Sequence, residues 1–119
     1  MTDTYTETLT ELVVTALEDM KAVNIHQIDI RELASFTDIM IFASGTSNRH
    51  VKSIAQSVIE AAKQAEIPPL GVEGEETGEW VLVDLGDVVV HVMLPDTREF
   101  YDIERLWSEQ LGQKKQSAI

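Results

Sequence analysis

Three histidines, a cluster of small hydroxyl residues around one glycine, and a surplus of carboxylates are the groups through which this chain has chemistry to offer. The histidines, His26, His50 and His91, are far apart and show neither H-x-x-x-H nor H-E-x-x-H spacing, so no zinc site is expected. With no cysteine in the chain, disulfides, thiolate metal sites and cysteine nucleophiles are excluded. Around the glycine, "FASGTSNRH" has the small residues of a strand-to-helix turn, whose backbone N–H groups can face a phosphate. It ends in neither Gly-Lys-Ser/Thr nor G-x-G-x-x-G, so Gly45 is expected to serve a structural turn. Ser44, Thr46 and Ser47 have no G-x-S-x-G elbow and no base placed beside them. Arg49 and His50 are expected to be exposed polar residues. A nucleotidyltransferase would need paired carboxylates holding magnesium near this turn. The nearest pair, Asp84 and Asp87, flanks another turn, and enzymatic activity has no positive support.

That second turn carries more information. In "DLGDVVVHVM" (Asp84 to Met93) Gly86 and Asp87 separate two apolar runs, and Gly86 suits a tight hairpin because glycine accepts positive φ. With Gly86 and Asp87 at the centre, Leu85 faces Val88, Val83 faces Val90 and Val81 faces Val92, a wholly aliphatic side. The other side pairs Asp84 with Val89, Leu82 with His91 and Trp80 with Met93. An aromatic, a carboxylate, an imidazole and a thioether among aliphatics resemble a protein contact. A helix covering that side, with His91 as a half-buried, satisfied residue, is equally open.

The elements that must position these residues follow from periodicity. Leu9, Leu12, Val13, Ala16, Leu17, Met20 and Val23 have the spacing of one helix face, with Thr8 and Glu11 as a capping box. "IHQIDI" (Ile25 to Ile30) is weakly strand-like, and "DIMIFAS" (Asp38 to Ser44) has the length and continuity of a buried strand. A second helix runs from about Asn48 to Glu66 behind a Thr46 or Ser47 cap and stops before Pro68 and Pro69. A short strand, the hairpin and a third helix follow. That helix starts at Pro95 and Asp96, with Asp96 and Glu99 as a capping box and Phe100, Ile103, Leu106 and Trp107 as its apolar face. The order α-β-β-α-β-β-β-α implies an α+β fold, a mixed sheet of about five strands layered with helices.

The chain has 119 residues, 44% hydrophobic and 25% charged, as in a single globular domain. The domain is expected over 9–111, between a flexible start, 1–8, and a flexible tail, 112–119. No apolar run is long enough to span a bilayer and the start is not basic, so a cytoplasmic protein is expected. Nine basic residues against 21 acidic give a net charge of −12, which repels phosphate backbones and favours a basic protein partner.

The stretches "TDIMIFASGTSNRHVKSIA", "GVEGE" and "GEWVLVDLGDVVVHVMLPDTREFYDIERLW" together resemble the ribosomal silencing factors, the Iojap-related family, over about residues 9 to 108. The resemblance implies a nucleotidyltransferase-like fold without catalytic acids and a non-enzymatic translation factor without cofactor or metal. It implies binding to the large ribosomal subunit through its fourteenth protein, a basic component of the joining face, so that subunit joining is blocked under nutrient limitation. It also implies a homodimer off the ribosome and little direct nucleic-acid binding. Trp80 matches the family's contact tryptophan, and Asp84, Gly86, Asp87 and His91 match the motif. The partner-binding set expected is Trp80, Leu82, Asp84, Asp87, His91 and Met93, with Asp84 and Asp87 pairing charges and His91 supplying a hydrogen bond.

Overall fold

The hairpin forms in the expected register. In the computed structural model, which describes residues 4–117 and their side chains as far as Leu111, strands β4 (Trp80–Asp84) and β5 (Val88–Met93) are antiparallel. Val83 stands opposite Val90, Leu82 opposite His91, and Trp80 opposite Met93. The turn closes through a 2.9 Å bond from the Leu85 N–H to the Val88 carbonyl. Gly86 has φ +87 and Asp87 does not share a positive φ, as a turn with a glycine at its first central position requires.

Around this hairpin lie α1 (Thr4–Asp19), β1 (Val23–Asp29), β2 (Ile39–Ser44), α2 (Asn48–Gln64), β3 (Gly71–Glu73), α3 (Pro95–Tyr101) and α4 (Ile103–Ser117). The sheet has five strands in the order β1-β2-β5-β4-β3. Only β2 and β5 run parallel, which sets Phe42 beside His91 and Ile41 beside Val90. The α+β class and the mixed sheet are as the sequence implies.

The aliphatic side of the hairpin is the core side. Val81, Val83, Leu85, Val88, Val90 and Val92 are buried with Ile39, Ile41 and Ala43 of β2. Onto them pack Leu9, Val13, Ala16 and Leu17 of α1 and Val51, Ile54, Ala55, Val58, Ile59 and Ala62 of α2. Full burial of each such aliphatic side chain stabilises the fold by roughly 1.5–3 kcal/mol. On the opposite face a smaller cluster, Ile28, Ile30, Met40, Phe42 and Met93, is covered in part by Ile103, Trp107 and Leu111 of α4.

Element ends differ from expectation where polar residues decide them. Helix α1 begins at Thr4, so Thr8 is an exposed residue inside it and caps nothing. Thr6 is buried and gives its hydroxyl to Asp38 and Asp87. Residues 4–8 and 112–117, expected to be flexible, are helical, while 1–3 and 118–119 lie outside the described residues. Val23 belongs to β1, is 40% exposed, and precedes a bulge at which Asn24 takes φ 52. The expected third helix is two helices. Asp102 adopts φ 49 and breaks the run, which an aspartate tolerates better than most residues. Leu94, not Asp96, is the cap residue, and the expected capping box does not form.

Candidate partner-binding site

A chain of rings leads from the core to the surface on the side of the sheet away from α1 and α2. Phe42, fully buried, stacks on His91 with centroids 4.7 Å apart and planes 10° apart. His91 meets Trp80 at 5.9 Å, Trp80 meets Tyr101 at 5.1 Å, and Tyr101 meets Phe100 edge-on at 5.0 Å. Exposure rises outward: His91 is 4% exposed, Trp80 half-buried, Tyr101 55% and Phe100 80%. Aromatic pairs at these separations add roughly 0.5–1.5 kcal/mol beyond burial, so the outer rings are held in a preferred arrangement.

The backbone under Trp80 is fixed by glycines. Gly74 has φ +87, and a Cβ there would lie 1.9 Å from the Trp80 carbonyl oxygen. Gly78 has φ +71 and packs on Asn48 and Lys52 of α2, while the Asn48 amide donates to the Thr77 carbonyl at 2.8 Å. The Leu94 N–H donates to the Glu79 carbonyl at 2.9 Å, tying the entry of β4 to the exit of β5.

Tyr101 and Phe100 are held by an ion-pair network. The Arg98 guanidinium grips Glu104 with Nε and Nη2 and donates from Nη1 to Ser44 Oγ at 2.9 Å. His26 Nδ1 lies 2.7 Å from Glu104 Oε2, the oxygen that also accepts from Arg98 Nη2. Burial pushes the Glu104 carboxyl pKa up, but the Arg98 and His26 hydrogen bonds outweigh it and hold the group below its ordinary value. The corner between α3 and α4 is thereby fastened to β1 and β2.

His91 is the most constrained member. Its Nδ1 accepts the indole N–H of Trp80 at 3.1 Å, and its Nε2 has no hydrogen-bond partner among the described residues. Burial pushes its pKa down to about 4, with only a small opposing pull from the Glu104 charge. Its ring is therefore neutral at physiological pH, with the proton on Nε2.

The six residues expected to bind a partner do not form one site. Trp80 and Leu82 are half-buried on the ring side, Trp80 near Tyr101. His91 and Met93, 4% and 1% exposed, lie beneath that surface, and direct contact by either is corrected by their burial. Asp84 accepts the Gly86 N–H at 2.9 Å, closing the turn, and Asp87 faces the start of α1, where the Thr6 hydroxyl reaches it at 3.2 Å. Both carboxylates sit at the far end of the hairpin from Trp80. Tyr101 and Phe100 were not expected as site residues; the signal for them is the aromatic pair directly before a helix-breaking Asp102.

The glycine turn is occupied by its own structure. The Gly45 N–H donates to the Met93 carbonyl at 3.1 Å, and a Cβ at Gly45 would meet Val51 at 2.8 Å. The Thr46 N–H donates to His50 Nδ1 at 2.9 Å, and Ser47 Oγ caps α2 by accepting the His50 N–H at 3.1 Å. His50, expected as an exposed polar residue, is half-buried and bridges this loop to the Met20 carbonyl, 2.8 Å from its Nε2. Asp38, Asp84 and Asp87 lie at the opposite end of β2, roughly 20 Å away by strand rise. The turn and the carboxylates do not converge. Among the described residues no three His, Asp or Glu side chains are grouped to hold a metal.

Comparison with known proteins decides which lineage carries this arrangement. The family model described as "Ribosomal silencing factor during starvation" matches residues 3–118. The chain belongs to the ribosomal silencing factor family. It is 50% identical to the ribosomal silencing factor of Chromobacterium violaceum over 93% of this chain and 88% of that protein. With the ribosomal silencing factor of Haemophilus influenzae it shares 40% identity over 84% of this chain and 98% of that one. A crystal structure of a Chromobacterium violaceum protein, 51% identical, superposes with a TM-score of 0.85 over 86% of this chain and 85% of the other. The mixed sheet and its helices are thus the fold of the silencing factors, with the ring chain running through its middle strands.

Proposed function

We propose that this protein silences translation by occupying the large ribosomal subunit at its fourteenth protein, so that the small subunit cannot join when nutrients are scarce. Membership of the ribosomal silencing factor family supports a role on the ribosome in silencing. The observation that carries the location is the cluster of half-buried Trp80 with exposed Tyr101 and Phe100, whose Tyr and Trp content is that of an interface hot spot. Leu82 extends it along β4. The net charge of −12 steers the molecule toward a basic protein and away from bare ribosomal RNA. Binding alone accounts for the action, without cofactor, metal or catalytic step. In the cytoplasm and off the ribosome, the chain pairs with a second copy of itself.

The test is co-sedimentation with purified large subunits. Trp80→Ala is expected to abolish it with an unchanged far-ultraviolet circular-dichroism spectrum. Undiminished binding by that variant would refute the proposed contact.

A further inference from the structure

We propose that His91 is a positioning residue for Trp80: its neutral ring, clamped on Phe42, accepts the indole N–H through Nδ1 and thereby sets the face that Trp80 shows to a partner. The proposal rests on the reading that Trp80 makes the ribosomal contact.

The geometry admits one proton arrangement. An indole N–H only donates, so the 3.1 Å approach of Trp80 Nε1 to His91 Nδ1 requires a lone pair on Nδ1. The ring proton then sits on Nε2, an atom buried without a partner among the described residues. A buried polar group left unpaired requires an explanation in a folded protein. A leucine or phenylalanine would fill the same space without stranding an N–H. What an imidazole adds is an acceptor on one edge of a flat ring, and that edge points at Trp80. Stacking on Phe42, with planes 10° apart, fixes the ring plane, and the parallel pairing of β2 with β5 fixes both backbones. The indole is therefore directed from below by a bond that no solvent-exposed residue supplies, while Tyr101 packs on it at 5.1 Å. A pre-oriented anchor loses less freedom on binding.

The first test is nuclear magnetic resonance on the intact protein. The two tryptophan indole signals are assigned with a Trp107→Phe variant. A scalar coupling across the hydrogen bond between Trp80 Nε1 and His91 Nδ1, with a ring protonated at Nε2 at pH 7, is expected. Its absence in the wild-type protein overturns the proposal whatever the variants do. His91→Phe keeps a stacking ring but no acceptor, and is expected to speed exchange of the Trp80 indole proton with water about tenfold. His91→Asn places an amide oxygen at the same number of bonds from the backbone as Nδ1 and is expected to restore slow exchange. Equal exchange in wild type and a folded His91→Phe variant overturns the proposal.

The second test is large-subunit co-sedimentation. His91→Phe is expected to weaken it about fivefold, and His91→Asn to recover most of the loss. If Trp80→Ala binds as well as wild type, the ribosomal reading of Trp80 fails, while the resonance experiment still decides the positioning.

Discussion

Gly74→Ala tests whether the backbone beneath Trp80 is as tightly placed as the structure has it. Two costs combine. An L-residue at φ +87 is disfavoured by roughly 1–2 kcal/mol. The added Cβ would also lie 1.9 Å from the Trp80 carbonyl oxygen, so the two must separate by more than 1 Å to reach even 3.0 Å. Crowding of this kind costs roughly 1–3 kcal/mol. The expected loss is about 3 kcal/mol, a large fraction of the roughly 5–15 kcal/mol that stabilises a domain. Gly71→Ala is the matched control, because a Cβ there meets nothing within 4 Å and its φ is not in the left-handed region. That change should alter stability by less than about 0.5 kcal/mol. Urea unfolding followed by circular dichroism measures both. Equal midpoints for Gly74→Ala and wild type, or equal losses for the two variants, would refute the steric reasoning.

Acid should weaken the fold in two stages. His91, neutral in the folded state down to about pH 4 but protonated near 6.5 when unfolded, contributes nothing above pH 6.5 and destabilises progressively below it. Urea midpoints at pH 6.5 and 5 should show about 2 kcal/mol lost, and His91→Asn should flatten that slope. Glu104, held below its ordinary value, contributes stability above its unfolded pKa that disappears as pH falls through its folded one, a later stage that Glu104→Gln should remove. At neutral pH, Glu104→Gln strands the mostly buried Arg98 and should cost about 2 kcal/mol in the same assay. Ser47→Ala removes the α2 cap and should cost about 1 kcal/mol, whereas Ser47→Asp should be near neutral in thermal melts.

How much was legible depended on whether the deciding partner is near in sequence. The β4-β5 register follows from one tight turn and a period of two, so every opposing pair was readable, Leu82 with His91 included. Helix α2 was readable because Ser47 caps it locally and its apolar residues recur at helical spacing. The start of α1 was not, since periodicity begins at Leu9, whereas Thr6 is held by Asp38 and Asp87 from distant elements. His50 reads as exposed because its acceptor, the Met20 carbonyl, is 30 residues away. At the candidate site, Trp80 and Leu82 were legible as the mixed side of the hairpin. For His91 the sequence leaves burial and partner contact equally open, and for Met93 it points to contact; Phe42, brought alongside by the parallel pairing of β2 with β5, decides for burial. Helical spacing puts Phe100 on an apolar face, but the left-handed Asp102 turns the chain and leaves the ring 80% exposed.

Because alternate residues of β4 and β5 serve opposite sides of one sheet, this hairpin tolerates replacement of its letters but not a change in their number. One residue lost within β4 would exchange the sides, sending Trp80 into the space filled by Val81 and Val81 into the place of Leu82. The pairing register of this segment is therefore specified by residue count as well as by residue type.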